Sequence, residues 1–394
     1  MKFLSHSTSV AVVLPIWLAC NTASSCNANT ATAVPTTEEH PVLAWLRAQE
    51  GGYVNPKVVF TEGGLFATSE IKKGEAVFTI PTNALLKPFD EEDDSMCETA
   101  HRLVLEYRRS EESSYAPFVK YVFETFPHKT VPMGWSEQGK QLVRDMVGSQ
   151  LEPQEFGSGS FDEACEGYDD YLLEEDLDKS QQIDLLEAAW RIVCARGWHH
   201  VLVPVFDMAN HRNNQWRNID RDTDLEDVDQ EYRIIALKNI EKGGQLYNSY
   251  NQCRDVTCHD IDMFYVTPQI FGDYGFVEQY PHRFDFWTGQ EDEEDDFGLV
   301  FEVDEIDDHN RNDVFIKWLK DEPNPDQIDW LKKQHKRLQR LENDVTERAK
   351  VLSSKHEADM AMSYYRALKN ALNLAITATN NDSKLKEEER VEEL

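Results

Sequence analysis

The chain has 394 residues, of which 73 are acidic and 40 basic, giving a formal charge of −33, and 40% are hydrophobic. That apolar content can fill the cores of two or three domains and excludes a wholly disordered chain. The charge disfavours a phosphate backbone as partner, so no nucleic acid is expected and a basic protein partner is.

The first residues read as a targeting segment. Lys2 supplies a positive start, residues 10–20 form an apolar run, and small residues follow at Ala23-Ser24-Ser25 and Ala31-Thr32-Ala33. This is the pattern of a secretory signal over 1–25, with a linker over 26–40. The run is too short to cross a bilayer and Pro15 interrupts it, so no membrane span is expected once the signal is removed. The expected location is the secretory pathway, in the lumen or outside, with cytoplasm or plastid as the alternative. Seven cysteines in so long a chain are not a disulfide scaffold. In an oxidising lumen Cys253 and Cys258 could pair with each other, or with Cys97 or Cys165. No metal site is expected, since a zinc site needs about four ligands at recognisable spacing.

A helix over 42–49, apolar at Val42, Leu43, Trp45 and Leu46, is stopped by Gly51-Gly52. Short strands follow at 58–60, 65–67 and 76–80, separated by Gly63-Gly64 and Lys73-Gly74 and closed by Pro81. From 99 to 197 the apolar period is helical, carried by Leu103, Val104, Tyr107, Leu142, Met146, Val147, Leu172, Ile183, Leu186, Trp190 and Val193. Strands resume at Val201 and include 232–237. Beyond Pro281 comes an acidic segment, and helices are predicted from 313 onward. Leu331, Leu338, Leu341, Val345, Ala349 and Leu352 form a continuous apolar stripe, read as bundle core. The division is therefore 41–98, 99–197, 198–280 and 281–380, with a disordered tail at 381–394.

Four short blocks carry the chemistry. Glu62-Gly63-Gly64-Leu65 allows close backbone approach, because glycine lacks a Cβ. The apolar run Val203-Pro204-Val205-Phe206 breaks into Asp207-x-x-Asn210-His211, whose amide and imidazole each need several partners when buried. Asn248-Ser249-Tyr250-Asn251 and Asp273-Tyr274-Gly275-Phe276 follow.

In this order the blocks resemble the signature of SET-domain methyltransferases, of the class typified by the Rubisco large-subunit lysine methyltransferase, over roughly residues 41–375. The resemblance implies an α+β fold: a β-rich SET domain with a large helical insertion and a helical C-terminal domain of the substrate-binding kind. It implies an S-adenosyl-L-methionine-dependent protein-lysine N-methyltransferase. Its cofactor residues would be Glu62, Gly63, Gly64, Leu65, Arg196, Asp207, Asn210 and His211. Arg196, eleven residues before Asp207, would neutralise the cofactor carboxylate by a bidentate contact, the competing reading being an ordinary arginine at a helix C-terminus. Tyr250 would be the catalytic tyrosine and Tyr274 would shape the acceptor channel, where aromatic walls suit an ammonium. Two departures stand out: Glu62 or a one-residue gap stands where the family's first glycine belongs, and the loop over 252–272 is long and carries Cys253, Cys258 and His259. Histidine and polyamine acceptors, and an inactive SET-fold protein that binds a basic partner, are the alternative readings.

Overall fold

The structure is a computed structural model and describes residues 39–61, 64–89, 96–126, 131–148, 151, 160–165, 178–198, 201–222, 231–250, 266–287, 298–305, 314–319 and 321–392. The readings made on the signal, on the linker up to residue 38, and on Glu62, Gly63, Asn251, Cys253, Cys258 and His259 lie outside those residues.

Helix α1 (Pro41–Ala48) opens with proline in its first turn, where a missing N–H costs nothing, and buries Val42, Leu43 and Leu46. Strands β1 (Tyr53–Val54), β2 (Val58–Thr61), β3 (Gly64–Ala67) and β4 (Ala76–Ile80) follow. The helical insert holds α2 (Met96–Arg109), α3 (Ala116–Thr125), α4 (Glu137–Val147), α5 (Phe161–Ala164) and α6 (Lys179–Arg196). Ser136 caps α4 by accepting from the Gly139 N–H at 3.2 Å, and Asp178 caps α6 by accepting from Gln181 at 2.9 Å. A disulfide between Cys97 and Cys165 ties α2 to the end of α5.

Strands then return as β5 (Gly197–Trp198), β6 (Val201–Leu202), β7 (Asn210–His211), β8 (Ile219–Arg221), β9 (Tyr232–Ala236) and β10 (Tyr247–Asn248). Strands β1, β4, β9 and β8 make an antiparallel sheet in that order, and β2 pairs with β3. The β7–β10 pair is parallel, with Asn248 opposite His211. Helix α7 (Thr267–Tyr274) ends on Gly275, whose φ of 75° is the left-handed cap that glycine adopts freely.

The segment beyond Pro281, read as acidic and then as helical from 313, contains strands first: β11 (His282–Trp287), β12 (Gly298–Glu305) and β13 (Val314–Trp318), one antiparallel sheet in that order. Its signal is a period of two, with Phe284, Phe286, Phe301 and Val303 buried. Charged residues at the alternate positions disguised it as acidic loop. One such pair, Arg283 and Glu302, lies directly across β11 and β12 and is joined at 2.8 Å with both side chains buried. Helices α8 (Pro325–Val351) and α9 (Lys355–Glu392) complete the chain, and α9 runs through the stretch read as a disordered tail.

The apolar residues fall into two clusters. One joins α1, α2, α3 and α6 to the strands up to β9; the other joins α4, α7, the β11–β12–β13 sheet, α8 and α9. The insert is therefore divided, since Leu142, Val143, Met146 and Val147 of α4 pack with the C-terminal helices. Of the stripe on α8, Leu331, Leu338, Val345 and Ala349 are buried, as expected of bundle core. Among the described residues no helix is long and apolar enough to cross a membrane.

Candidate active site

Three sequence blocks meet at the parallel β7–β10 pair. The Leu246 N–H donates to the Leu65 carbonyl at 2.8 Å, and the Arg212 N–H to Asn248 at 2.9 Å, so 64–65, 207–211 and 245–250 lie side by side. Gly64 sits at φ +121°, and a Cβ built on it would come 2.8 Å from Gln245 Nε2 and 2.9 Å from Asn210 Nδ2. Only glycine fits both the dihedral and the space.

The turn before Asp207 is strained. Val205 has φ +71°, a left-handed conformation that costs a β-branched residue roughly 1–3 kcal/mol. It sends the chain back so that Asp207 faces the last residue of α6. Arg196 Nη1 donates to the Asp207 carbonyl at 3.2 Å and to its Oδ2 at 3.1 Å, and the guanidinium lies 5.5 Å from the Tyr121 ring centroid. Burial works against both charges. It pushes the Asp207 carboxyl upward against the pull of Arg196, while Asp207 and the nearby phenols raise Arg196 above its ordinary range despite burial. Among the described residues, the buried Asp207 Oδ1 and Arg196 Nε have no hydrogen-bond partner.

The tyrosines form a wall. Tyr250 stacks on Tyr274 with ring centroids 4.6 Å apart and planes 26° from parallel. Its hydroxyl donates to the Ala209 carbonyl at 2.9 Å and its backbone N–H to His211 Nδ1 at 2.9 Å. Burial pushes both phenols up, and for Tyr274 the neighbouring Tyr250 and Asp273 groups act in the same direction. Both are neutral at ordinary pH.

The sequence assigned His211 to the cofactor, but its side chain is committed elsewhere. With Nδ1 accepting from Tyr250, the proton resides on Nε2 and is donated to Glu278 Oε2 at 2.6 Å, both side chains being 1% exposed. Glu278 also accepts from the Thr267 hydroxyl and from Asn213 Nδ2, and Asn213 in turn accepts from Ser249 at 2.9 Å. His211 therefore positions Tyr250, and Glu278 positions His211.

The structure thus brings Gly64, Leu65, Arg196, Asp207, Asn210, His211, Tyr250 and Tyr274 into one region. Glu278 and Tyr121 were missed. The only trace of Tyr121 in the sequence is its place in an aromatic helix, and Glu278 looks like one more acid in an acidic chain. Chemically, the region offers an aromatic wall of neutral phenols, one anchored cation, and buried polar atoms of both kinds that have no partner among the described residues. Such a set can hold a zwitterionic ligand and an amine.

Residues 63–251 match the SET domain family. No curated protein matches the chain. Among solved structures, the chain is similar to the SET domain of LSMT bound to lysine and AdoHcy (TM-score 0.47, 14% identity, 87% of this chain and 92% of that one covered). It is also similar to Rubisco LSMT bound to AdoMet (TM-score 0.46, 13% identity, 86% and 91% covered).

Proposed function

We propose, from the premise that residues 63–251 are a SET domain, that this chain is an S-adenosyl-L-methionine-dependent protein methyltransferase whose acceptor is the side-chain amine of lysine. The observation that carries the reading is Tyr250, stacked on Tyr274, held by its own backbone through His211, and set beside the Arg196–Asp207 pair.

The residues present fit the cofactor. Arg196, whose buried Nε has no partner among the described residues, would hold its carboxylate, and Asp207, whose buried Oδ1 has none there either, its ammonium. Gly64, Leu65, Asn210 and the His211 backbone would hold the rest, on a surface that a Cβ at Gly64 would close. When bound, the cofactor supplies a methyl group activated on a sulfonium sulfur.

The chain's own task is to present a neutral, aligned amine. A free lysine has a pKa near 10.4, so only about 0.04% is neutral at pH 7. The two phenols are held protonated by burial and offer no base near neutrality. Loss of water from an amine buried in this site disfavours the ammonium and lets its proton leave to solvent. The Tyr250 hydrogen is already given to the Ala209 carbonyl, so the oxygen lone pairs face outward and can accept an amine N–H, fixing the direction of the nitrogen lone pair.

The formal charge of −33 supports a basic protein as substrate. The signal-like start and the Cys97–Cys165 disulfide support a lumenal or extracellular location. Calorimetry of the full chain with S-adenosylmethionine, then transfer of a tritiated methyl group to lysine-rich, histidine-containing and polyamine acceptors, tests the proposal. Binding and methyllysine are expected, and Asn210→Ala should weaken binding by roughly 1.5–3 kcal/mol, the scale of a hydrogen bond to a charged ligand. Methylhistidine or methylated polyamine would move the acceptor assignment; no cofactor binding would overturn the reading.

A further inference from the structure

The most basic stretch of this acidic chain is 331–340, which carries Lys332, Lys333, Lys336, Arg337 and Arg340 and no acid. It lies on α8, where Lys333, Lys336, Arg337 and Arg340 stand at i, i+3, i+4 and i+7 and so share one face. The opposite face is core, through Leu331 and Leu338. The four cations line a groove of about 400 Å³ whose other wall is Val147 and Gly148, at the end of α4.

Arg337 is built into that wall. Its Nη atoms donate to the carbonyls of Asp145, Met146 and Val147 at 3.2, 2.7 and 2.9 Å, satisfying the open end of α4, and its Nε donates to Gln334 at 3.0 Å. Lys333, Lys336 and Arg340 are exposed, and none has a hydrogen bond or ion pair among the described residues. Other cations of α8 and α9 are paired: Lys332 with Asp329, Arg348 with Asp145, Lys350 with Glu347, Lys355 with Asp359 and Lys369 with Glu342. Like charges three and four residues apart destabilise a helix. Three adjacent cations at one groove with no acid beside them among the described residues mark a place for an external anion.

We infer that the groove between α4 and α8 docks a carboxylate-rich segment of a partner protein. A membrane or nucleic acid presents an extended polyanion that the remaining negative surface would repel. A short acidic segment needs only the ~10 Å that seven residues of helix span. None of the residues lining the groove belongs to the candidate active site, so the docking stands whether or not the chain transfers methyl groups. It also gives the protein a partner of opposite charge to the basic substrate that its net charge suggests.

Fluorescein-labelled octaglutamate titrated into the full chain and followed by anisotropy tests this. Saturable binding that weakens as sodium chloride is raised is expected. K333E/K336E/R340E should weaken it about tenfold or more, the order expected from losing three exposed ion pairs. K72E/K350E/K355E, with the same change in net charge elsewhere, should leave it within about twofold, as distant exposed charges are screened. Unchanged melting temperatures in both variants would show that folding is intact. The inference is overturned if octaglutamate does not bind, if the two variants behave alike, or if phosphatidylserine vesicles or duplex DNA bind through these residues while the peptide does not.

Discussion

His211 has two ring nitrogens and one proton to share between them, and its surroundings decide where that proton sits. The Tyr250 N–H occupies Nδ1, so Glu278 must take the hydrogen on Nε2. Glu278→Gln disturbs this at one atom. If the amide oxygen faces His211, its NH₂ meets a Thr267 hydroxyl that already accepts from the Arg283 N–H and has lost its own acceptor. If the NH₂ faces His211, Nε2 must become the acceptor and the Nδ1 hydrogen collides with the Tyr250 N–H. The variant should lose about 1–3 kcal/mol of stability by denaturant titration, the cost of one unsatisfied buried group. It should also lose turnover beyond its loss of cofactor affinity; unchanged kcat in a folded variant would separate His211 from Tyr250 alignment. Tyr250→Phe acts later. It should keep cofactor affinity within a few-fold in calorimetry while methyl transfer falls by about a hundredfold, as when a hydrogen bond made in the transition state is removed. Equal rates for Tyr250→Phe and wild type would favour an inactive scaffold. Asp207, Asn210 and His211 stand close together in the sequence as one block, whereas Tyr250, 39 residues on, was picked out only by the order of the blocks. Glu278 was not, because its partner lies 67 residues away.

At the scale of elements, local pattern served where neighbours in sequence are neighbours in space. Helix α1, the β2–β3 pair and the stripe on α8 all follow from spacing, because their apolar positions face cores supplied nearby. The β11–β12–β13 sheet did not, since its strands pair across acidic segments and carry a buried ion pair, Arg283–Glu302, where an apolar residue would have revealed the second face. Likewise nothing in α4 shows that it belongs to the C-terminal core rather than to the insert. Gly64 is the element boundary with the clearest consequence. In Gly64→Ala the new Cβ would press on the side-chain ends of Gln245 and Asn210, at a φ of +121° that alanine adopts only under strain. A stability loss of about 1–3 kcal/mol is expected from the backbone alone. Because Asn210 must move, S-adenosylmethionine affinity should fall by more than that loss accounts for. A calorimetric affinity equal to wild type would place the cofactor away from β3.

For the whole molecule, the buried tyrosines set an alkaline limit. Burial raises Tyr250, Tyr274 and Tyr364 above the usual phenol range and pushes Tyr365 up to about 12. An unfolded tyrosine ionises near 10, so above that pH the folded state holds more protons than the unfolded one, and stability falls as pH rises. Below about pH 9 these groups contribute a constant, so the melting temperature should be flat on their account from pH 8 to 9 and drop steeply between 10 and 12. A flat melting temperature through that upper window would mean that the rings are solvated. The oxidised state of the molecule offers a further test, which joins its N-terminus to its core. The Cys97–Cys165 bridge closes a loop across a sequence separation of 68, and reducing it or making C97S/C165S should cost roughly 2–4 kcal/mol. Such a bond persists in an oxidising compartment and not in a reducing one. The reading of residues 1–25 as a secretory signal and the bridge therefore make one linked prediction for the protein recovered from its own cells. Its N-terminus should begin near or beyond residue 23, and peptide mapping without reductant should recover Cys97 and Cys165 joined. An intact N-terminus with both thiols free would remove the lumenal assignment and set the search for the protein substrate in the cytoplasm or plastid.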